Sequence, residues 1–391
     1  MKAIQRHSHR LLGALGLAAV TLLAACGGGA APASSAPGPA SAVTSKPAVS
    51  AAAPASTAAA AKPAASGSAS AKPAVSGAAS AAAKPAAGAK TLKIAIPQGD
   101  TLTTGGLVSV GVSKGYFKDE GLDLQPTTTA GGATTVQAVV SGSVDMAVGT
   151  GLFAIMTAFT KSAPVQLVAS DAIGAGDLYW YAKPDGPISK VDDFAGKKVA
   201  FTSRGSSSNL ADEAINDILK SKNLKPAELL PVGQFPDQLT AVKTGQVDVG
   251  LAGPPAILSN VQKGEVKVVF RGTEITSLAN ESLRGMFVNT KWSAQNGDVI
   301  SAWIRAYNKS WHYAVTNKQE AMQIWKTASK LQDSDEILLQ SFDYYPEAPN
   351  TAQAIKGADL VNKQAVDFKA IDKPLTADEL SKLITTQYLP K

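Results

Sequence analysis

From residue 91 onward the chain alternates short apolar runs with stretches of helical period. "LKIAI" (Leu92 to Ile96) is an apolar run closed by the breaker stretch "PQGD", which predicts a strand. "GYFKDEGLDLQ" follows, with Gly115 and Gly121 bracketing an exposed "KDE" and a short strand expected around Leu122 to Leu124. A helix around "TTVQAVV" then leads into "SGSVDMAVG", whose Val144, Met146 and Val148 alternate as a strand does. The order comes again further on. "KKVAFT" reads as a strand, "SRGSSSN" as a Gly-Ser loop, "LADEAINDILKSKN" as a helix and "ELLPVG" as a strand. A helix through "DQLTAVK" and the strand "VDVGLAG" complete the second unit. Strands alternating with helices predict an α/β protein with parallel sheets. From Val299 the period is helical, with Ile300, Trp303, Ile304, Tyr307 and Trp311 on one apolar face that reads as core. "TADE" (Thr376 to Glu379) is a capping-box start for the last helix.

The two units are related by more than their order. Gly142 pairs with Gly245, Val144 with Val247 and Asp145 with Asp248, at a constant offset of 103 residues. Both glycines fall at a helix-to-strand turn, where a left-handed backbone is needed. The two aspartates open the returning strand, and capping the turn is a plainer role for them than holding a ligand. Ligands of open parallel sheets sit beyond the carboxyl ends of the strands, so two facing sheets imply a cleft between two lobes.

The first ninety residues follow a different rule. Lys2, Arg6 and Arg10 precede an apolar or small-residue run from Leu11 to Ala25, and Cys26 follows. So short a run, with a basic front, predicts a secretory signal over residues 1–25 rather than a membrane span. Residues 26–90 are almost wholly Ala, Pro, Ser, Gly, Thr and Val, with isolated lysines and no aromatic residue. Such a segment cannot bury enough surface to offset chain entropy and is expected to be a disordered tether, with a reach of ~45 Å as a flexible coil. It also carries charge: residues 91–391 alone hold 29 basic and 31 acidic groups. The basic balance of the whole chain therefore belongs to leader and tether, and nucleic acid is not an expected partner.

Chemistry is narrowed by what the folded part lacks. Cys26 is the only cysteine, and His312 is the only histidine after residue 90. That excludes a thiol nucleophile, a disulfide frame and a multi-histidine metal site there. His312 lies in "AYNKSWHYAV" among large aromatics, which reads as helix packing rather than catalysis. No catalytic residue, metal site or cofactor is expected.

"GYFKDEGLDLQ", "VVSGSVDMAVG", "ISKVDDFAGKKVAF" and "LTAVKTGQVDVGL" together resemble the substrate-binding proteins of ABC importers, within the nitrate, taurine and aliphatic-sulfonate group related to the thiamine-pyrimidine synthases. That group has G-[YL]-F-x-x-E-G-L-D near its start, an S-G-x-x-D pair in each lobe and D-L-x-G-K-x-V at the entry to the second. Phe194 stands here where leucine is usual. No single motif is strong; their order and spacing over Thr91 to Lys391 carry the resemblance. It implies a type II periplasmic-binding-protein fold closing over a small solute, with lobe one formed by 91–182 plus 284–391 and lobe two by 183–283. "LAAC" resembles a bacterial lipobox, which implies acylation at Cys26 and a lipid anchor outside the cytoplasm. The implied partners are a small, anionic solute and a membrane permease, with the binding protein acting as a monomer. A lipoprotein that signals to a membrane partner would need the same cleft. The enzymes of the thiamine-pyrimidine branch use a histidine and a CCCFC motif that this chain lacks.

The candidate ligand site rests on the loops after the strands. "SRGSSSN" opens a helix, so its first N–H groups are unpaired and its dipole end is positive. Gly205, Ser206, Ser207 and Ser208 are candidates, with Arg204 as a cation suited to sulfonate or carboxylate. An ordinary cap with an exposed arginine is the alternative. The matching loop "PQGDTLTTGG" offers Gln98, Gly99, Thr101 and Thr104, and Asp100 would suit an amine. Gly149, Thr150 and Gly151, with Gly253 and Pro254, end the return strands and are expected to wall the cleft. "DLYWYAKP" is expected to cross between lobes and "LRGMFVNT" to return. One aromatic of Tyr179, Trp180 and Tyr181 should then face the cleft, and Arg284 either touches the ligand or is solvated.

Overall fold

The computed structural model describes residues 88–345 and 347–391, all within the unit Ala79–Lys391. The expected signal, Cys26 and nearly all of the tether lie outside the described residues. Two five-stranded sheets organise what is described. The first contains β1 (Lys90–Ile96), β2 (Leu122–Thr128), β3 (Met146–Gly151) and β4 (Val165–Ile173), and the second β5 (Tyr179–Ala182), β6 (Lys198–Phe201), β7 (Glu228–Pro231), β8 (Val249–Ala252) and β9 (Lys267–Arg271). β10 (Ser282–Asn289) returns to the first sheet. The strand orders are β2-β1-β3-β10-β4 and β7-β6-β8-β5-β9. Four strands of each sheet run in one direction, three of them paired side by side, and the strand arriving from the other lobe runs antiparallel between its neighbours. The fold is α/β and two-lobed, as the alternation of strands and helices predicts.

The offset aspartates share one job. Asp145 Oδ2 accepts the backbone N–H of Lys93 at 2.8 Å, and Asp248 Oδ2 accepts that of Lys198 at 2.9 Å. Each carboxylate thus ties the start of the return strand, central in its sheet, to the neighbouring strand, β1 in one lobe and β6 in the other. Gly142 and Gly245, at φ of 75° and 79°, make the left-handed turns just before them.

The crossing between lobes falls earlier than the expected boundary at 182. Tyr179–Ala182 is already a strand of the second sheet, so the chain crosses through Gly174–Leu178. "YWYA" is apolar throughout and all four side chains are buried, so none of Tyr179, Trp180 and Tyr181 faces the cleft, contrary to expectation. Six helices matter for the cleft or its approaches: α1 (Leu107–Ser113), α2 (Tyr116–Asp119), α3 (Gly132–Val140), α4 (Leu152–Thr160), α5 (Ser207–Ser221) and α6 (Phe235–Thr244). The stretch expected as a loop after β1 instead forms a π-helical turn, Leu102–Gly106, running into α1. The helix Gly297–Thr316 buries Ile300, Trp303, Ile304, Tyr307 and Trp311, the apolar face seen in the sequence, whereas His312 is exposed rather than packed. Thr376 and Glu379 cap the final helix reciprocally, Thr376 N–H to Glu379 at 2.7 Å and Glu379 N–H to Thr376 at 3.3 Å. Among the described residues no helix is long and apolar enough to cross a membrane.

Candidate functional site

The strands of both parallel halves point their carboxyl ends into one interlobe cleft, and four helices begin there. Gly131 and Gly132 start α3, Gly151 starts α4, Ser206 to Ser208 start α5, and Gln234 and Phe235 start α6; all line the cleft. Each helix start leaves backbone N–H groups without an intrahelical acceptor and brings a partial positive charge, least at α6, where Pro236 has no N–H and Asp237 accepts the Gln234 N–H. Four such starts around one space favour an anion there. The enclosed space is about 40 Å³, room for about three water-sized groups.

At α5 the three serines are not equivalent. Ser206 is the N-cap, its Oγ accepting the Asn209 N–H at 3.2 Å. Ser208 Oγ lies 2.8 Å from Ser206 Oγ and accepts the Thr202 N–H at 3.1 Å. Both hydroxyls are buried within the turn. Ser207 is only half-buried and sits at the first helical position, where its N–H is free of an intrahelical partner. From the opposite loop Gln98, Thr101 and Thr104 also line the cleft, with Thr101 and Thr104 hydroxyls 2.7 Å apart.

The two crossing segments supply the charges. Arg284 Nη2 donates to Asp177 Oδ2 at 2.6 Å, with side chains only 11% and 5% exposed, and both line the cleft. Burial opposes the Arg284 charge, but Asp177 and Asp171 more than offset it and its pKa moves up. Behind Gly149 lies Asp171, which accepts the Gly149 N–H at 2.5 Å and keeps its second oxygen without a partner. Burial pushes its carboxyl up to about 6, against the opposing pull of Arg284 and the Gly149 N–H. Tyr345 lines the cleft as well and donates to the Pro254 carbonyl at 2.9 Å, which ties the C-terminal part of lobe one to lobe two.

The lobes also meet backbone to backbone. The Ala154 N–H, third in α4, donates to the Gly205 carbonyl at 3.1 Å, so lobe two caps a helix of lobe one. Gln98 Nε2 reaches Gln234 Oε1 across the cleft at 3.4 Å. The structure is therefore a closed form.

The expected residues divide accordingly. Gln98, Thr101, Thr104, Gly149, Gly151, Ser206, Ser207, Ser208, Gly253 and Arg284 all line the cleft. Gly99 and Asp100 do not: their carbonyls accept Ser329 Oγ and Trp325 Nε1, which turns them toward an outer groove. Thr150 alternates into the core between the two cleft glycines and is fully buried. Tyr179 and Trp180 are core residues, Tyr179 bonded to the Ala256 carbonyl and Trp180 Nε1 to Asp212 at 2.7 Å. Arg204 and Gly205 face a separate pocket on the flank, and Pro254 meets the cleft only through Tyr345. Asp177, Tyr345, Thr202, Gln234 and the start of α3 were not anticipated. Among them only the helix starts carry a local signal, the glycine pair Gly131-Gly132. Among the described residues no cluster of His, Cys, Asp and Glu could hold a metal ion.

Comparison with known proteins gives this architecture a family. The family described as NMT1/THI5 like matches residues 106–321, more than half of the chain. The structure is similar to the periplasmic aliphatic sulphonate-binding protein SsuA from Escherichia coli, at TM-score 0.61 and 18% identity over 77% of this chain and 94% of that one. It is likewise similar to the alkanesulfonate-binding protein SsuA from Xanthomonas axonopodis pv. citri bound to MOPS, at TM-score 0.62 and 15% identity over 76% and 98%. The periplasmic nitrate-binding protein NrtA from Synechocystis PCC 6803 matches at TM-score 0.60 and 16% identity over 77% and 87%. No curated protein matches the sequence. At these identities the structural matches establish the type II periplasmic-binding-protein fold.

Proposed function

The chain belongs to the NMT1/THI5-like family, and from that premise we propose that it is an extracytoplasmic binding protein that closes over a small anionic solute and delivers it to an ABC importer. The observation that carries the reading is the convergence of four helix starts on one closed cleft. Arg284 is already neutralised by Asp177, so the attraction for an anion rests chiefly on backbone N–H groups. The sulfonate- and nitrate-binding neighbours support import as the role and binding, rather than catalysis, as the activity.

A thermal-shift series over nitrate, short and long alkanesulfonates, carboxylates, aromatic acids and pyrimidines tests this. Ligand that binds only the folded state raises the unfolding temperature by mass action. Small anions should give the largest shifts, because a solute larger than the enclosed space must hold the lobes apart. Ser207→Ala should leave the shift nearly intact if N–H groups dominate. A bonded hydroxyl on a charged group would instead cost about 1.5–3 kcal/mol, or roughly tenfold to a hundredfold in affinity. A response to pyrimidines alone overturns the anion reading.

The anchor belongs to the same proposal. "LAAC" ahead of Cys26 supports cleavage and acylation there, with the tether leaving the lobes free to reach the permease. Mass spectrometry of membrane-extracted protein should find a lipidated N-terminal Cys26. A soluble product with any other N-terminus sinks the lipoprotein assignment.

A further inference from the structure

Beside the cleft, beyond the Gly205–Ala154 contact, the lobes frame a second, half-open pocket of about 360 Å³. Its walls are mixed: Val136 of α3, Ala154 and Ala158 of α4 and Phe368 supply the apolar part, and Thr157 and Asn209 are polar. Three cations line it, Lys161 and Lys369 from lobe one and Arg204 from lobe two, and no carboxylate does. All three are exposed, and among the described residues none is held in a salt bridge. Three like charges around one concavity repel one another; Glu213, outside the lining, offsets Arg204 in part, and no acid of the lining faces the two lysines.

The backbone fixes this arrangement. Lys369 holds φ of 58°, and Ser162 beside Lys161 holds 61°, both in the left-handed region that non-glycine residues seldom adopt. Thr157 Oγ1 donates to the Ala370 carbonyl at 2.8 Å, pinning the Lys369 loop to α4. Asn209 Oδ1 accepts the Gly205 N–H at 3.0 Å on the lobe-two side. Both lobes are needed to complete the pocket, and its rear wall is the contact that marks closure.

We propose that this pocket binds a small amphipathic anion, a carboxylate, sulfonate or phosphate head on a short apolar body, and that it forms only in the closed state. The head meets the three cations and the body covers the Val136–Phe368 surface. Because the pocket requires closure, its occupant and the cleft solute stabilise the same conformation, and each tightens the other by the same factor. The pocket's own chemistry does not depend on which solute the cleft takes; only the coupling does.

The test uses the full chain with hexanoate as probe, against hexanol and inorganic phosphate. In amide NMR spectra, hexanoate should shift resonances around Thr157, Lys161 and Lys369, more strongly than either control. Rising salt should weaken the effect, since the cations are exposed. The double variant Lys161→Gln/Lys369→Gln should lose the shifts, while its affinity for the cleft solute without hexanoate stays unchanged. In the parent, saturating hexanoate should tighten the cleft solute by about fivefold or more, within the usual range of coupling between sites. Hexanol matching hexanoate, or shifts that survive the double variant, overturns the site. Shifts confined to Gly149 and Ser207 show that hexanoate is taken by the cleft and also overturn it. Pocket shifts in a protein whose cleft binds no anion leave the site standing and reject the cleft reading alone.

Discussion

Gly151→Ala is expected to weaken solute binding by roughly tenfold to a hundredfold while leaving the protein folded. Gly151 has φ of −59° and ψ of 134°, a conformation that alanine adopts freely, so the substitution strains nothing within lobe one. The obstacle is the other lobe. A Cβ at this position would stand 2.6 Å from both the Gly205 carbonyl oxygen and the Ser207 nitrogen, and both are backbone atoms that cannot rotate away. Forcing a methyl group into a close-packed contact costs about 1–3 kcal/mol, which appears here as a penalty on closure. Calorimetry should show the lost affinity, and small-angle scattering with ligand present should show lobes that stay apart. Gly205→Ala is less selective, because Gly205 at φ of 77° would add backbone strain to its contact with Ala154. Parent-like affinity for Gly151→Ala would mean that the lobes close in solution without this contact.

The same glycines show why part of the site was legible in the sequence and part was not. Features written locally came through. The Gly-Val-Asp repeat marks the return strands, and the first-turn residues of "SRGSSSN" mark a helix start, because turn and cap chemistry are properties of a few adjacent residues. Residues whose direction depends on distant partners did not. Asp100 looked like a cleft carboxylate, but the helix Lys318–Ser329 holds its carbonyl through Trp325 and turns it outward. Asp177 takes that place, because the crossing comes before the aromatic stretch "YWYA" and brings Asp177 opposite Arg284. Tyr345 lies more than 160 residues from the first crossing, and no local pattern links it to the Pro254 carbonyl. Arg204 stands next to the serine loop in sequence, yet the left-handed turn at Gly205 sends it to the flank.

Arg284→Met should be the most damaging change to the charged centre of the cleft, destabilising the fold by about 3–5 kcal/mol at neutral pH. Arg284 and Asp177 are both nearly inaccessible to water, and removing the guanidinium leaves Asp177 and Asp171 as neighbouring buried carboxylates with no cation. The pH dependence separates this from simple loss of packing. Asp171 already has a folded-state pKa of about 6, above its ordinary value of 3.8. A raised carboxyl pKa means that the folded state binds the extra proton, so stability falls as pH rises from about 4 through 6. Without Arg284 the Asp171 carboxyl loses the charge that pulls its pKa down, so its penalty develops over a higher window. The variant should therefore lose less stability near pH 5 than near pH 8, measured by urea unfolding. Adding Asp177→Asn should recover part of the loss, since one uncompensated charge is removed and Asp171 remains. In the parent, protonating Asp171 removes a negative charge beside the cleft, so an anion that stays ionised should bind more tightly as pH falls through about 6. Asp171→Asn should flatten that profile. An equal loss for Arg284→Met at both pH values would show that the arginine acts by packing alone.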